Sequence, residues 1–264
     1  MRKILNTTFL LLLMIAALAC SKEETTDPIT ESAIDYYPGN LTSSFTYSTD
    51  TLSSTGGNAA NVGSRVSTFD RNETINGIQY IIQKNASTVG GVPFNSEVGF
   101  RRTDTEINFA IDTAGIGGMI DSVAAALGFQ LDINIDSEIK VFSFPLFAGK
   151  TWDAFKLSVG LIGMSINIIE VKSEYQGQES ISVLGGTSLA EKIKYTATVR
   201  MPTSVEDIVN PPTEIFTANG WFVKDVGLAK IEGSAIILQA ISIGEIDLEN
   251  TRVVRETLTQ YTIK

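Results

Sequence analysis

The sequence predicts a mainly β protein: an antiparallel curved sheet, either a half-barrel or a barrel-like sandwich, with one short packed helix. Three observations predict it. First, apolar and polar residues alternate with a period of two from Asp35 onward, as in Phe45 to Asp50, Ile107 to Ile111, Leu131 to Ile135 and Lys192 to Val199. That period marks strands with one wet and one dry face. Second, turn chemistry punctuates these runs at Asn76-Gly77, Gly90-Gly91, Gly185-Gly186, Asn219-Gly220 and Pro211-Pro212, giving roughly a dozen strands spaced as in a meander. Third, Met119 to Leu127 is the one segment with helical character, alanine-rich and followed by Gly128. Its apolar residues nearly encircle it, so it is expected to plug or cover the dry face of the sheet.

Taken in order, residues 1–19 read as an export signal. Arg2 and Lys3 precede an unbroken apolar run of eleven residues, Phe9 to Ala19. Such a run rises only about 16 Å as a helix, roughly half the hydrocarbon core. A charged start, a short apolar centre and small residues at the end are the parts of a cleaved leader. The run closes on Ala17-Leu18-Ala19-Cys20, and Cys20 is the only cysteine in the chain. This tetrapeptide resembles a bacterial lipobox. The resemblance implies cleavage before Cys20, acylation of its thiol and new amine, and a lipid bilayer as partner through the acyl chains. Removal of residues 1–19 takes Arg2 and Lys3 with it and leaves 18 basic against 30 acidic residues, a net of −12.

Residues 20–34 are polar and poor in aromatics, as a flexible tether is. Residues 35–264 then form a single β-rich domain. Tyr37-Pro38 with Phe45 to Tyr47 is echoed by Phe144-Pro145 with Trp152 to Phe155, so two related halves, 36–143 and 144–264, form a second description of the same span.

Three segments carry a resemblance: Tyr36-Tyr37-Pro38, Phe144 to Trp152 and Trp221 to Lys230. They are similar to stretches of a loose group of uncharacterised Bacteroidota outer-membrane and surface lipoproteins, with Phe45 standing here where tryptophan is usual. The resemblance implies an exported antiparallel β-domain and carries over no activity, so it bears on fold and location alone. Cys20-Ser21-Lys22-Glu23-Glu24 is similar to the surface-export signal of that phylum, which implies the outer membrane and its outer face, with a periplasmic face as the alternative. Asp50-Thr51-Leu52 resembles the phylum's O-glycosylation motif, with Thr51 as acceptor; Asp112-Thr113-Ala114 and Asp121-Ser122-Val123 have the same form.

On function, composition mostly excludes. The 264 residues contain no histidine, which removes the usual neutral-pH base and the triads built on it. One cysteine permits no intrachain disulfide and no paired-cysteine metal site. A net charge of −10 and a pI near 4.6 speak against nucleic acid as a partner. Asp132, Asn134, Asp136 and Glu138 alternate like the start of a calcium loop, but Ser137 and Ser143 stand where glycine and a bidentate glutamate are needed. They read instead as the wet face of a strand. Gly115 to Gly118 lacks the lysine of a phosphate loop. No catalytic, cofactor-binding or metal-binding residue is therefore assigned. The expected function is a membrane-anchored, non-catalytic binding or accessory module holding an apolar small molecule. Its cavity lining is expected at Ile107, Phe109, Ile111, Leu127, Leu131, Ile133 and Ile135. The alternatives are a surface component that docks an envelope protein and, last, a hydrolase using a pair of the 30 acids.

Overall fold

The computed structural model describes residues 31–53, 59–112, 124–125, 132–161, 164–202, 207, 210–248 and 250–264. They form one 13-stranded sheet, antiparallel at every pairing. In chain order the strands are β1 Ser44–Leu52, β2 Ala59–Ile75, β3 Ile78–Val89, β4 Val92–Arg102, β5 Glu106–Ala110, β6 Asp132–Ile135 and β7 Glu138–Ser143. They continue as β8 Thr151–Leu161, β9 Met164–Val183, β10 Gly186–Arg200, β11 Thr213–Val223, β12 Gly227–Ser234 and β13 Val253–Thr262. The sheet order is β6-β8-β9-β10-β11-β12-β13-β1-β2-β3-β4-β5-β7. The last strand thus returns to pair with the first, from Ser44 opposite Thr262 to Leu52 opposite Val253. All strands and the whole described core lie within Ser32–Lys264, one compact unit.

The sheet is a curled half-barrel, and side chains show how far it curls. In a flat sheet, β7 and β11 would lie eight strand spacings, about 38 Å, apart. Instead the rings of Phe142 on β7 and Phe222 on β11 are 5.1 Å apart. Tyr195 on β10 donates its hydroxyl to the Val141 carbonyl of β7 at 2.8 Å. At the same seam Trp152 Nε1 on β8 donates to the Lys140 carbonyl at 3.0 Å, and Lys150 Nζ to that of Ser143 at 2.7 Å. No backbone ladder joins β7 to β8. Side chains bridge the seam and cover what would be a sticky edge.

Several turns fall where the sequence puts them. Asn76 and Gly77 both take positive φ, 51° and 82°, between β2 and β3, the geometry that matches strand twist in a two-residue hairpin. The β9–β10 turn uses Leu184 and Gly185, one residue earlier than expected, and Gly186 opens β10. Asn219-Gly220 is a correction, since both residues run within β11 and the turn comes after Val223. Gly220 is there for space. A Cβ on it would sit 3.2 Å from both the Tyr195 and Phe222 rings.

The helix that fills the concave face is α1, Ala235–Ser242, between β12 and β13. Every residue of it except Gln239 is buried, as a helix apolar all round must be. Ala124 and Ala125 are helical, but the rest of the helix expected over 119–127 lies outside the described residues. Beside α1 the core is aromatic, with Tyr37 against Phe45, Phe69, Phe100 and Phe109 at 5.1–6.3 Å.

Candidate functional site

A cleft opens between α1 and the inner face of β1, β2, β3, β4 and β13. Strand alternation puts its wall residues on one side: Thr49 and Thr51, Ser87 and Val89, and Val254 and Glu256, with Val62 and Phe94. Register aligns them into rows. Tyr47, Arg65, Ser87 and Phe94 stand opposite one another across β1 to β4, and Thr49 stands opposite Glu256. Leu238, Gln239 and Ser242 of α1 form the roof, and Asn250 and Arg252 the lip. The cavity measures about 130 Å³ and is open on one side. That is close to the roughly 150 Å³ that accommodates a benzene ring.

The floor is polar and fully committed. Arg65 is 4 % exposed, and its Nε lies 3.1 Å from each carboxylate oxygen of Glu256. Its other nitrogens donate to Glu256, to Ser67 Oγ and to Asn85 Oδ1, and the guanidinium lies over the Tyr47 ring. Burial alone would pull the Arg65 pKa down. The charge and hydrogen bonds of Glu256 outweigh it and hold the guanidinium above its ordinary value. Burial likewise raises the hydroxyls of Tyr37 and Tyr47. Tyr37 donates to Gln83 Oε1 at 2.7 Å and Tyr47 to the Leu228 carbonyl at 3.1 Å. Asn85 Nδ2 donates to the Ser242 carbonyl at 3.1 Å, tying the floor to the end of α1. The roof is less settled. Gln239 Oε1 and, at the start of α1, Ser234 Oγ are buried without a hydrogen-bond partner among the described residues, each at a cost of about 1–3 kcal/mol.

Of the residues expected to line an apolar cavity, the described ones, Ile107, Phe109, Ile111, Ile133 and Ile135, do not line this cleft. Ile107, Phe109 and Ile111 are buried in the packed core, and Phe109 lies edge-on to Tyr37. Ile135 packs partly buried against that core, whereas Ile133 is 45 % exposed. Leu127 and Leu131 lie outside the described residues, as does Cys20. Thr51 is on the cleft wall, within a strand paired on both sides. Glu138, weighed as a cation ligand, instead accepts two hydrogen bonds from Arg101, and Asp136 accepts one from the Lys156 backbone. No cluster of metal-ligating side chains occurs among the described residues, and none of their helices is long and apolar enough to cross a membrane. Sequence reasoning missed Arg65, Glu256 and α1. The signal for Arg65 was its even spacing from Phe69, which puts both on the inner face.

No protein-family model matches the chain, and no curated protein matches its sequence. Among solved structures, the chain is similar to a candidate exported protein with a YmcC-like fold from Bacteroides fragilis: 12 % identity, TM-score 0.46, covering 85 % of this chain and 97 % of that one. A candidate lipoprotein from Parabacteroides distasonis matches at 14 % identity and TM-score 0.45, over 86 % and 98 %. The hypothetical lipoprotein YmcC from Escherichia coli matches at 9 % and 0.32, over 89 % and 90 %. Likeness this distant transfers neither activity nor ligand to this chain.

Proposed function

We propose that the chain is an exported lipoprotein, anchored through acylated Cys20 in the outer membrane, whose β-domain binds the apolar end of a small molecule beneath α1. The anchor rests on the leader and lipobox-like Ala17 to Cys20. The binding role rests on one observation: a cleft walled by Val62, Val89, Phe94, Leu238, Ile243 and Val254, over a floor whose charges satisfy each other. Such a floor offers a ligand shape and dryness rather than a reactive group, and the module is read as non-catalytic.

Two experiments test this. The exported chain should carry acyl mass that Cys20→Ser removes; acyl mass persisting in that variant would refute the anchor. The Ser32–Lys264 unit should show saturation transfer to hexanol by ligand-detected NMR. Val89→Trp, at a partly exposed strand end, should close the mouth and cut that signal at least tenfold. An equal signal in both proteins would place the probe elsewhere.

A second reading has its own observation. Val89, Val92 and Phe94 at the β3–β4 hairpin are 40 %, 66 % and 44 % exposed beside the cleft mouth, a patch suited to docking an envelope protein.

A further inference from the structure

Resting on that binding role, we infer that the cleft selects an anionic amphiphile: one short apolar chain or ring ending in a carboxylate or phosphate, its head held by Arg252 at the lip.

The charge inventory of the lining carries this. Three charged residues line the cleft among the described residues: Arg65, Glu256 and Arg252. The first two cancel, both 8 % exposed or less and bonded to each other. Arg252 is left over, so the cleft carries one net positive charge in a chain whose total is −10. A cation at an apolar cleft is a selective feature in a chain whose net charge disfavours anions overall.

Arg252 is also placed and oriented. Its backbone carbonyl accepts from Ala235 N at 2.9 Å, which fastens the lip to the first turn of α1. Its Nε donates to Asn250 Oδ1 at 3.0 Å. That bond leaves both terminal nitrogens without a hydrogen bond among the described residues, in the fork geometry that matches carboxylate and phosphate oxygens. Arg252, Val254 and Glu256 alternate along one line of the cleft, a path of about 14 Å from lip to floor. A head group on Arg252 therefore sends its chain over Val254 toward Leu238 and stops short of the Arg65–Glu256 pair. The volume of about 130 Å³ admits about six carbons.

The test is a titration of Ser32–Lys264 with four six-carbon probes: hexanoate, hexyl phosphate, hexanol and hexylamine. Both anions should bind about three- to tenfold more tightly than hexanol, and hexylamine more weakly. Arg252→Gln should erase the anion advantage, so that within that variant hexanoate and hexyl phosphate bind no more tightly than hexanol. Raising salt should shrink the advantage in the parent protein. If hexanoate and hexyl phosphate differ from each other, the preferred head group is thereby named. Hexanol binding as tightly as the anions, or an anion advantage that survives Arg252→Gln, would overturn the assignment to Arg252 and leave the binding role standing. Failure of all four probes to bind would overturn both.

Discussion

Arg65 shows best what the sequence conceals at the scale of a residue. In Ser64-Arg65-Val66-Ser67 hydropathy puts the valine inside and the arginine outside, yet Arg65 is 4 % exposed and Val66 38 %. The strand's phase is set by Phe69, wholly buried, and even spacing then carries Ser67 and Arg65 inward. What makes this tolerable is Glu256, 191 residues away in sequence, which no local pattern announces. Breaking the pair leaves a buried charge without its counter-ion. Glu256→Ala should therefore cost about 3–5 kcal/mol, whereas Arg65→Met with Glu256→Leu should cost much less. Urea unfolding of the three proteins checks this; a double variant as unstable as the single one would mean that the network, not the uncompensated charge, sets the stability.

At the scale of elements, the strands were legible and the helix was not. Asn76-Gly77 and the two glycine pairs mark the turns between β2 and β3, β3 and β4, and β9 and β10 to within a residue. Asn219-Gly220 misleads because a glycine needed for room beside Tyr195 and Phe222 looks the same in sequence as one needed for a turn. The helix α1 has the sequence Ala-Ile-Ile-Leu-Gln-Ala-Ile-Ser, rich in β-branched isoleucine and without amphipathic period. Locally it reads as another strand, and only enclosure by the curled sheet makes it a helix. The segment after α1 carries a pH signature. Partial burial and the charges of Asp112 and Asp247 raise the Glu245 carboxyl above its ordinary value. In the window just above the ordinary carboxylate pKa the folded chain holds a proton that the unfolded chain has released, so stability falls as pH rises through that window. Glu245→Gln should flatten this slope and raise Tm at neutral pH by about 1–2 °C, a small gain because solvent screens the site. Melting curves between about pH 4 and pH 7 read it out. A variant with the parent's slope would assign the pH dependence to other groups.

For the whole molecule, curl converts a ribbon of strands into an enclosure around α1. The sequence predicts a curved antiparallel sheet, and the molecule is a 13-stranded antiparallel half-barrel whose inner face holds α1, a helix the sequence did not point to. It does not predict which side chains meet across the curl. Phe142 with Phe222 and Tyr195 with Val141 join strands eight and nine places apart in the sheet. Contacts of that range depend on accumulated twist rather than on any local run of residues. The same curl brings β1 to β4 and β13 around α1 and leaves the cleft between them. The most direct test of the central claim is where a bound six-carbon probe sits. NMR cross-relaxation between the terminal methyl of hexanoate and the side chains of Ser32–Lys264 should reach Leu238 and Val254 under α1. Contacts confined to the exposed hairpin at Val92 and Phe94, or to no residue of the cleft, would contradict it.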